Sequence, residues 1–197
     1  MDTRGGKETM NKQTRALTTG QYREIIQTIQ HGFLNHRPAP VIAACLMMEA
    51  NLGLRISDIA DQLRLADIVQ DGGRYRLNIT EKKTGKLRAF IVPMELYLYL
   101  QRWCLDQRLR PEDCLFPVSV RSVQQRLYDV CDYLGLEGIG THSFRKYFAT
   151  EIYKNNDYDI VLVQQLLQHS SPAITQRYIG LESKRIEAAL EGHVQLI

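Results

Sequence analysis

No stretch of this sequence approaches the roughly eighteen consecutive apolar residues that a membrane-spanning helix needs, which excludes that class. The opening, MDTRGGKETMNKQTRA, has no hydrophobic signal core, so the default address is the cytoplasm. Cysteine is scarce: Cys45, Cys104, Cys114 and Cys131 are scattered, and no two form a C-x-x-C pair. A disulfide framework and a cysteine-built zinc site are thereby excluded, leaving reduced thiols. A G-x-x-x-x-G-K-[ST] phosphate loop is also missing, so nothing points to ATP chemistry. Internal repeats and low-complexity tracts are absent as well. Charge of one sign is in short supply: the net charge is +3 and the pI about 8.7. Nucleic-acid binding is permitted by that balance only if the positive charge gathers on one face.

What is present fits one globular domain. The chain has 197 residues, 44% hydrophobic and 24% charged, enough to bury a sizeable core. Residues 1–16 are polar and without period, and read as a flexible leader; residues 17–197 read as one domain. LTTGQYREIIQTIQHGF predicts an amphipathic helix capped by Thr18 or Thr19, with Tyr22, Ile25, Ile26 and Ile29 on one face. HRPAP breaks the chain. VIAACLMMEANLGL then predicts a buried helix ending near Gly53, and ISDIADQLR a shorter one after Arg55. RYRLNIT alternates as a half-buried strand should, with Tyr75, Leu77 and Ile79 on one side and Arg74, Arg76 and Asn78 on the other. KKTGK is a turn and LRAFIVP a second strand stopped by Pro93; DIV, before the DGG turn, can add a third. The rest reads as helices: MELYLYLQRWCLDQ, VRSVQQRLYDVCDYLGL, SFRKYFATEIYKNN, DIVLVQQLLQH and ESKRIEAALEGHVQ. The fold class is therefore mainly α with one small antiparallel β-sheet, an α+β arrangement.

Four stretches concentrate polar residues that chemistry could use. GLRISD sets Arg55 where a buried helix meets a new one. The KKTGK tip carries Lys82, Lys83 and Lys86. THSFRKYFAT puts His142 and Arg145, three apart, on one face of a helix start. LLQHSSPAITQRYIG places His169 nine positions before Tyr178. Each has an ordinary explanation: an arginine capping carbonyls, solvated turn lysines, a surface His–Arg pair, and a chance offset in a chain with ten tyrosines and five histidines.

Together and in this order, however, these stretches resemble the tyrosine recombinase (phage integrase) family over residues 17 to 190. THSFRKYFATEIYKNNDYDIVLVQQLLQHSSPAITQRYIG is similar to that family's second conserved box, and GLRISDIADQLRLADI to its first. The resemblance implies the family's catalytic-domain fold and site-specific cleavage and rejoining of DNA through a covalent 3′-phosphotyrosyl intermediate, without metal, cofactor or ATP. It implies Tyr178 as nucleophile, with Arg55, Lys83, His142, Arg145 and His169 around it. Two guanidiniums suit a phosphorane-like centre, because each is permanently charged and donates paired hydrogen bonds. Arg55 and Arg145 take that role and His169 adds a donor; His142 is the acceptor or relay for the tyrosine proton. The family's K-T-G turn selects Lys83 as the acid for the leaving 5′ oxygen, with Lys86 and then Lys82 as fallbacks. The implied partner is double-stranded DNA, on which a homo-tetramer assembles across paired sites; without DNA the chain is expected to be monomeric or weakly associating. The apolar stripe Ile186, Ala189, Leu190, Val194 and Ile197 marks a C-terminal tail helix that such an assembly would exchange.

Two departures stand out. Gln168 occupies a position where the family usually has glycine, so it must take a costly but tolerable left-handed conformation. Only a short leader precedes the domain, which makes the chain either a fragment or a small single-domain recombinase. Three other readings compete. A catalytically silent DNA-binding relative is opposed by the intact residue set, and a type IB topoisomerase by the histidine at 142. A phosphodiesterase acting on other substrates lacks any sign of metal ligation.

Overall fold

Two polar signals fix where the first helix begins. In a computed structural model of the protein, which describes residues 14–181, the Thr18 hydroxyl accepts from the Gln21 N–H at 3.2 Å, and the Gln21 side chain accepts in return from the Thr18 N–H. This reciprocal cap starts α1 (Thr19–His31) and decides between the two candidate threonines. Ile25, Ile26 and Ile29 are buried, and Tyr22 lies against the core. After HRPAP comes α2 (Pro40–Leu52), opened by Pro40 and closed by Gly53 in the left-handed region at φ 58°. Its near-unbroken apolar sequence suits a central helix, and α2 meets α1 on one side and the later helices on another.

The helix after Arg55 is shorter than ISDIADQLR predicts. α3 (Ile56–Ile59) is a single turn. The competing interaction is strand-like: Asp61 N–H donates to Phe116 O at 2.9 Å and Leu115 N–H to Leu63 O at 2.8 Å. Leu63, Leu115 and Phe116 are all fully buried by this pairing, which a longer helix would prevent. The sheet then follows as a meander, β1 (Ile68–Asp71), β2 (Arg74–Thr80) and β3 (Leu87–Val92), all antiparallel. DIV therefore belongs to a strand. Leu77 and Ile79 point inward as expected, and Tyr75 stacks on Tyr97 of α4 (Met94–Gln107). β3 turns Arg88 inward and leaves Leu87 62% exposed, an inversion that matters for the site.

α5 (Val120–Tyr133) and α6 (Thr141–Asn155) complete the main core. α7 (Ile160–Leu167) starts under an Asp159 cap. α8 (Pro172–Ile179), capped by Ser171 and closed by Gly180, was not expected; the sequence there reads as a turn. Ser-Pro is a helix start as well as a turn signal, and eight residues are too few for a clear period. Ala149, Val163, Leu167 and Ile179 form a small second core that fastens α7 and α8 to α6.

Of the expected leader, Thr14 and Arg15 are held: Arg15 N–H donates to Gly138 O at 3.0 Å, and Lys146 donates to Thr14 O at 2.5 Å. Residues 1–13 of the leader and the expected tail helix lie outside the described residues. All four cysteines are free. Among the described residues no helix is long and apolar enough to cross a membrane.

Gly53 is the joint that turns the chain from α2 towards Arg55. A Cβ there would sit 2.4 Å from the Phe148 ring, at a φ that L-residues avoid. Gly53→Ala should cost about 1–2 kcal/mol in backbone strain and about 1–3 kcal/mol in ring displacement. Thermal unfolding should show it as a melting point lowered by roughly 2–4 °C per kcal/mol; an unchanged melting point would refute the crowding.

Candidate active site

Arg55 follows the Gly53 turn, half-buried at the start of α3. Its Nη1 donates to Glu81 Oε2 at 2.5 Å. Glu81 directly follows β2, is itself buried, and also accepts from Thr84 Oγ1 at 2.7 Å. Burial alone would raise its pKa, but the hydrogen bonds from Thr84 and Arg55 and the charges of Arg55 and Arg88 hold it below the ordinary value. Glu81 is therefore an anion that aims Arg55.

Arg145 lies in the second turn of α6 and is 2% exposed. Its Nη2 donates to Leu167 O at 3.2 Å, the last carbonyl of α7, while its Nη1 has no hydrogen-bond partner among the described residues. His142 sits one turn earlier and opens to solvent. Partial desolvation first, then the charges of Arg145, Arg55 and Lys83, lower its pKa.

His169 depends on Gln168. That residue takes the left-handed conformation, φ 54° and ψ 37°, that a glycine would take more cheaply. Its side chain donates to Leu87 O of β3 at 3.1 Å, and Gln164 donates to His169 O at 3.1 Å. The departure from glycine thus brings a side-chain tie to the sheet. His169 Nδ1 lies 3.1 Å from the hydroxyl of Thr175, and its ring meets the Tyr178 ring edge-on at 5.2 Å. Burial first, then Arg145, Arg55 and Arg88, depress the His169 pKa to about 4.

Tyr178 lies near the end of α8, with Lys146 Nζ 5.3 Å from its ring centroid. Its hydroxyl is buried with no hydrogen-bond partner among the described residues. Burial pushes its pKa up to about 12 despite the opposing charge of Arg145. The three hairpin lysines are exposed and differ in what they face. Lys83 adds to the positive potential at His142, whereas the charge of Lys82 acts on Cys114. The Lys82 N–H is bound by Asp58 Oδ1 at 2.9 Å, and the Lys86 N–H meets Thr84 Oγ1 at 3.3 Å.

The structure therefore brings Arg55, His142, Arg145, His169 and Tyr178 together, with Lys83 within electrostatic reach of His142. Sequence reasoning missed Glu81, Arg88, Thr175 and Glu49. Glu81 directly precedes the lysine turn, and Arg88 interrupts an apolar strand. Glu49 is the lone charge in an apolar helix, which was a readable signal. Both of its carboxyl oxygens are buried beside Arg145 without an ordinary hydrogen bond.

The sequence profile described as the phage integrase family matches residues 15–185, and the chain belongs to that family. It is 34% identical over 146 residues to the probable integrase/recombinase YoeC of Bacillus subtilis (strain 168), covering 71% of this chain and 77% of that one. To the tyrosine recombinase XerH of Helicobacter pylori it is 28% identical over 147 residues, covering 70% and 40%. Among solved structures it is similar to XerH bound to palindromic difH substrate in a post-cleavage complex, with a TM-score of 0.65, 23% identity, and coverage of 94% and 55%. XerA recombinase gives a TM-score of 0.64 at 20% identity, covering 94% and 66%. YoeC apart, the chain spans between 40% and 66% of these proteins' own lengths.

Burial holds Glu49 well above the usual carboxylate range, against the pull of the Arg145 charge and the Ile56 N–H. A carboxyl raised in the folded state contributes stability that is complete below its unfolded pKa and lost as pH rises through the folded one. From about pH 4.5 upward, wild-type stability should therefore fall relative to Glu49→Gln, by up to about 1.4 kcal/mol per pH unit. Melting curves of the two proteins across pH test this; curves that stay parallel would refute it.

Proposed function

We propose that this protein is a site-specific DNA recombinase that cleaves and rejoins double-stranded DNA through a 3′-phosphotyrosyl bond. The observation that carries this reading is the buried Tyr178 hydroxyl lying beside Arg145, with Arg55, His142 and His169 around it. The family relatives named as recombinases, and the solved recombinase–DNA complexes of the same fold, support DNA as the substrate.

In this reading the Tyr178 oxygen attacks phosphorus and the bond to the 5′ oxygen breaks, leaving the 3′ phosphate on the tyrosine. A hydroxyl with a pKa of about 12 is ionised in only about one molecule in 10⁵ at pH 7, so its proton must leave during attack. His142, whose lowered pKa keeps it neutral, accepts or relays that proton. Arg55 and Arg145 bind the non-bridging oxygens, with Arg145 Nη1 the donor without a partner in the described structure. His169, neutral at this pH, donates through Nε2 in the tautomer where Thr175 turns its one hydroxyl proton to Nδ1 instead of to Ser171 O. Lys83 protonates the departing 5′ oxygen. The phosphotyrosyl bond keeps the energy of the broken linkage, so a 5′ hydroxyl can reverse the reaction. Assembly of four copies on paired sites belongs to the same proposal.

A nicked suicide DNA site should trap wild-type protein as a covalent adduct. Tyr178→Phe should bind the same DNA and form none; a 3′-linked adduct in the phenylalanine variant would overturn the assignment.

Lys83→Ala should slow cleavage about 10²–10⁴-fold, the usual worth of a positioned acid. It should do much less to a 5′-thio substrate, whose leaving group departs without a proton. Equal losses on both substrates would make Lys83 a phosphate binder instead.

A further inference from the structure

Arg88 and Glu81 are each 2% exposed, and the chemistry above uses Glu81 only to aim Arg55 and Arg88 not at all. A charge pair in a core is weak evidence for stability, because desolvation cancels much of the attraction. Arg88 sits opposite Ile79 in the register, so an apolar side chain would suit its position on packing grounds. Its hydrogen bonds give a different reason for its presence. Nη1 donates to Gly53 O at 3.1 Å, two residues before Arg55, and approaches Glu81 Oε1 at 3.5 Å. Nη2 donates to Leu166 O at 2.6 Å, next to the carbonyl that takes Arg145 and three residues before His169. Glu81 uses its other oxygen for Arg55 and for Thr84, the neighbour of Lys83.

We infer that Glu81 and Arg88 are positioning residues that lock the lysine hairpin, the Arg55 turn and the α7 end carrying His169 into one rigid frame. The inference rests on the recombinase reading for its catalytic consequence, though not for its geometry. A planar guanidinium with five donors can bridge three acceptors in different directions, whereas an ammonium cannot match that fork. Glu81 is the only group that touches Arg55, the hairpin turn and Arg88 at once among the described residues. Its negative charge also offsets guanidiniums that would otherwise repel one another and pull the hairpin out of register. A displacement near 1 Å at a reacting group can cost about 10²-fold in rate, so the frame has a kinetic effect without touching DNA.

The test uses the full chain and the variants Glu81→Gln, Arg88→Lys and Arg88→Met. Hydrogen exchange is measured without DNA. Amides of residues 82–86 and 166–169 should exchange at least tenfold faster in each variant, while those of α1 and α2 keep wild-type protection. On suicide DNA, adduct formation should fall about 10²-fold, and for Glu81→Gln a 5′-thio leaving group should restore most of the loss. Arg88→Lys, which keeps the charge, should recover less than a tenth of the wild-type rate. Unchanged hairpin exchange in all three variants would overturn the inference. So would equal losses on both substrates with exchange raised throughout the chain, the pattern of a plain stability defect. Should wild-type protein form no adduct, the recombinase reading fails, and the exchange measurement alone decides the frame.

Discussion

Three guanidiniums held close together in a partly buried place are the constraint on which this site depends. Arg88 feels the charges of Arg145 and Arg55, and Arg145 feels that of Arg55. Left alone they would repel one another and draw in water. What restrains them is Glu81, which faces two of the three, and the C-terminal carbonyls of α7, which face the third and share Arg88. A helix C-terminus carries partial negative charge and unpaired carbonyl oxygens, so it is a natural seat for cations. The end of α7 is therefore both where His169 emerges and where two arginines are moored. Moving any one of these groups disturbs the other two.

Burial, more than the positive field, sets the protonation of the groups nearby, and the field adds to it at the histidines while opposing it at the tyrosine. Burial and neighbouring cations keep both histidines neutral, and burial keeps Tyr178 protonated. In the reading proposed above, a bound DNA phosphodiester monoanion, and more strongly the phosphorane formed from it, would reverse the electrostatic part of the effect on the histidines. It neutralises the arginines and thereby makes a protonated histidine less costly, so the proton released by tyrosine has somewhere to go when the reacting group is bound. The site is organised for an anion it does not itself contain, which is how preorganised electrostatic catalysis works.

Much of this was legible in the sequence because local signals and function coincided there. The order Arg55, His142, Arg145, His169 and Tyr178 was readable through its resemblance to the family, although Tyr178 stands on a helix that the sequence did not reveal, and the strand pattern of RYRLNIT gave its inward face directly. The short α3 was not legible, since the pairing of residues 61 to 63 with 115 and 116 is a tertiary interaction between distant segments. α8 escaped because its capping residues also spell a turn. Arg88 escaped for a stronger reason. An arginine in a strand is normally placed outward, and only the contacts with Gly53 and Leu166 show what its inward turn satisfies.

Among the described residues the Glu49 carboxyl, Arg145 Nη1 and the Tyr178 hydroxyl are buried without a hydrogen-bond partner of ordinary geometry. Each such group costs about 1–3 kcal/mol, and a fold selected for stability alone would pair or remove them. Pairing Arg145 fully with Glu49 as a carboxylate would satisfy both, but it would neutralise the guanidinium that a phosphate must meet. Burial that disfavours the Glu49 carboxylate works against that cancellation, and Arg145 Nη1 has no partner among the described residues. Glu81 does the opposite job: it stays ionised, but it faces Arg55 and Arg88 from the hairpin side. The two buried glutamates are thus shifted in opposite directions, Glu81 towards the carboxylate that restrains Arg55 and Arg88, and Glu49 away from it beside Arg145.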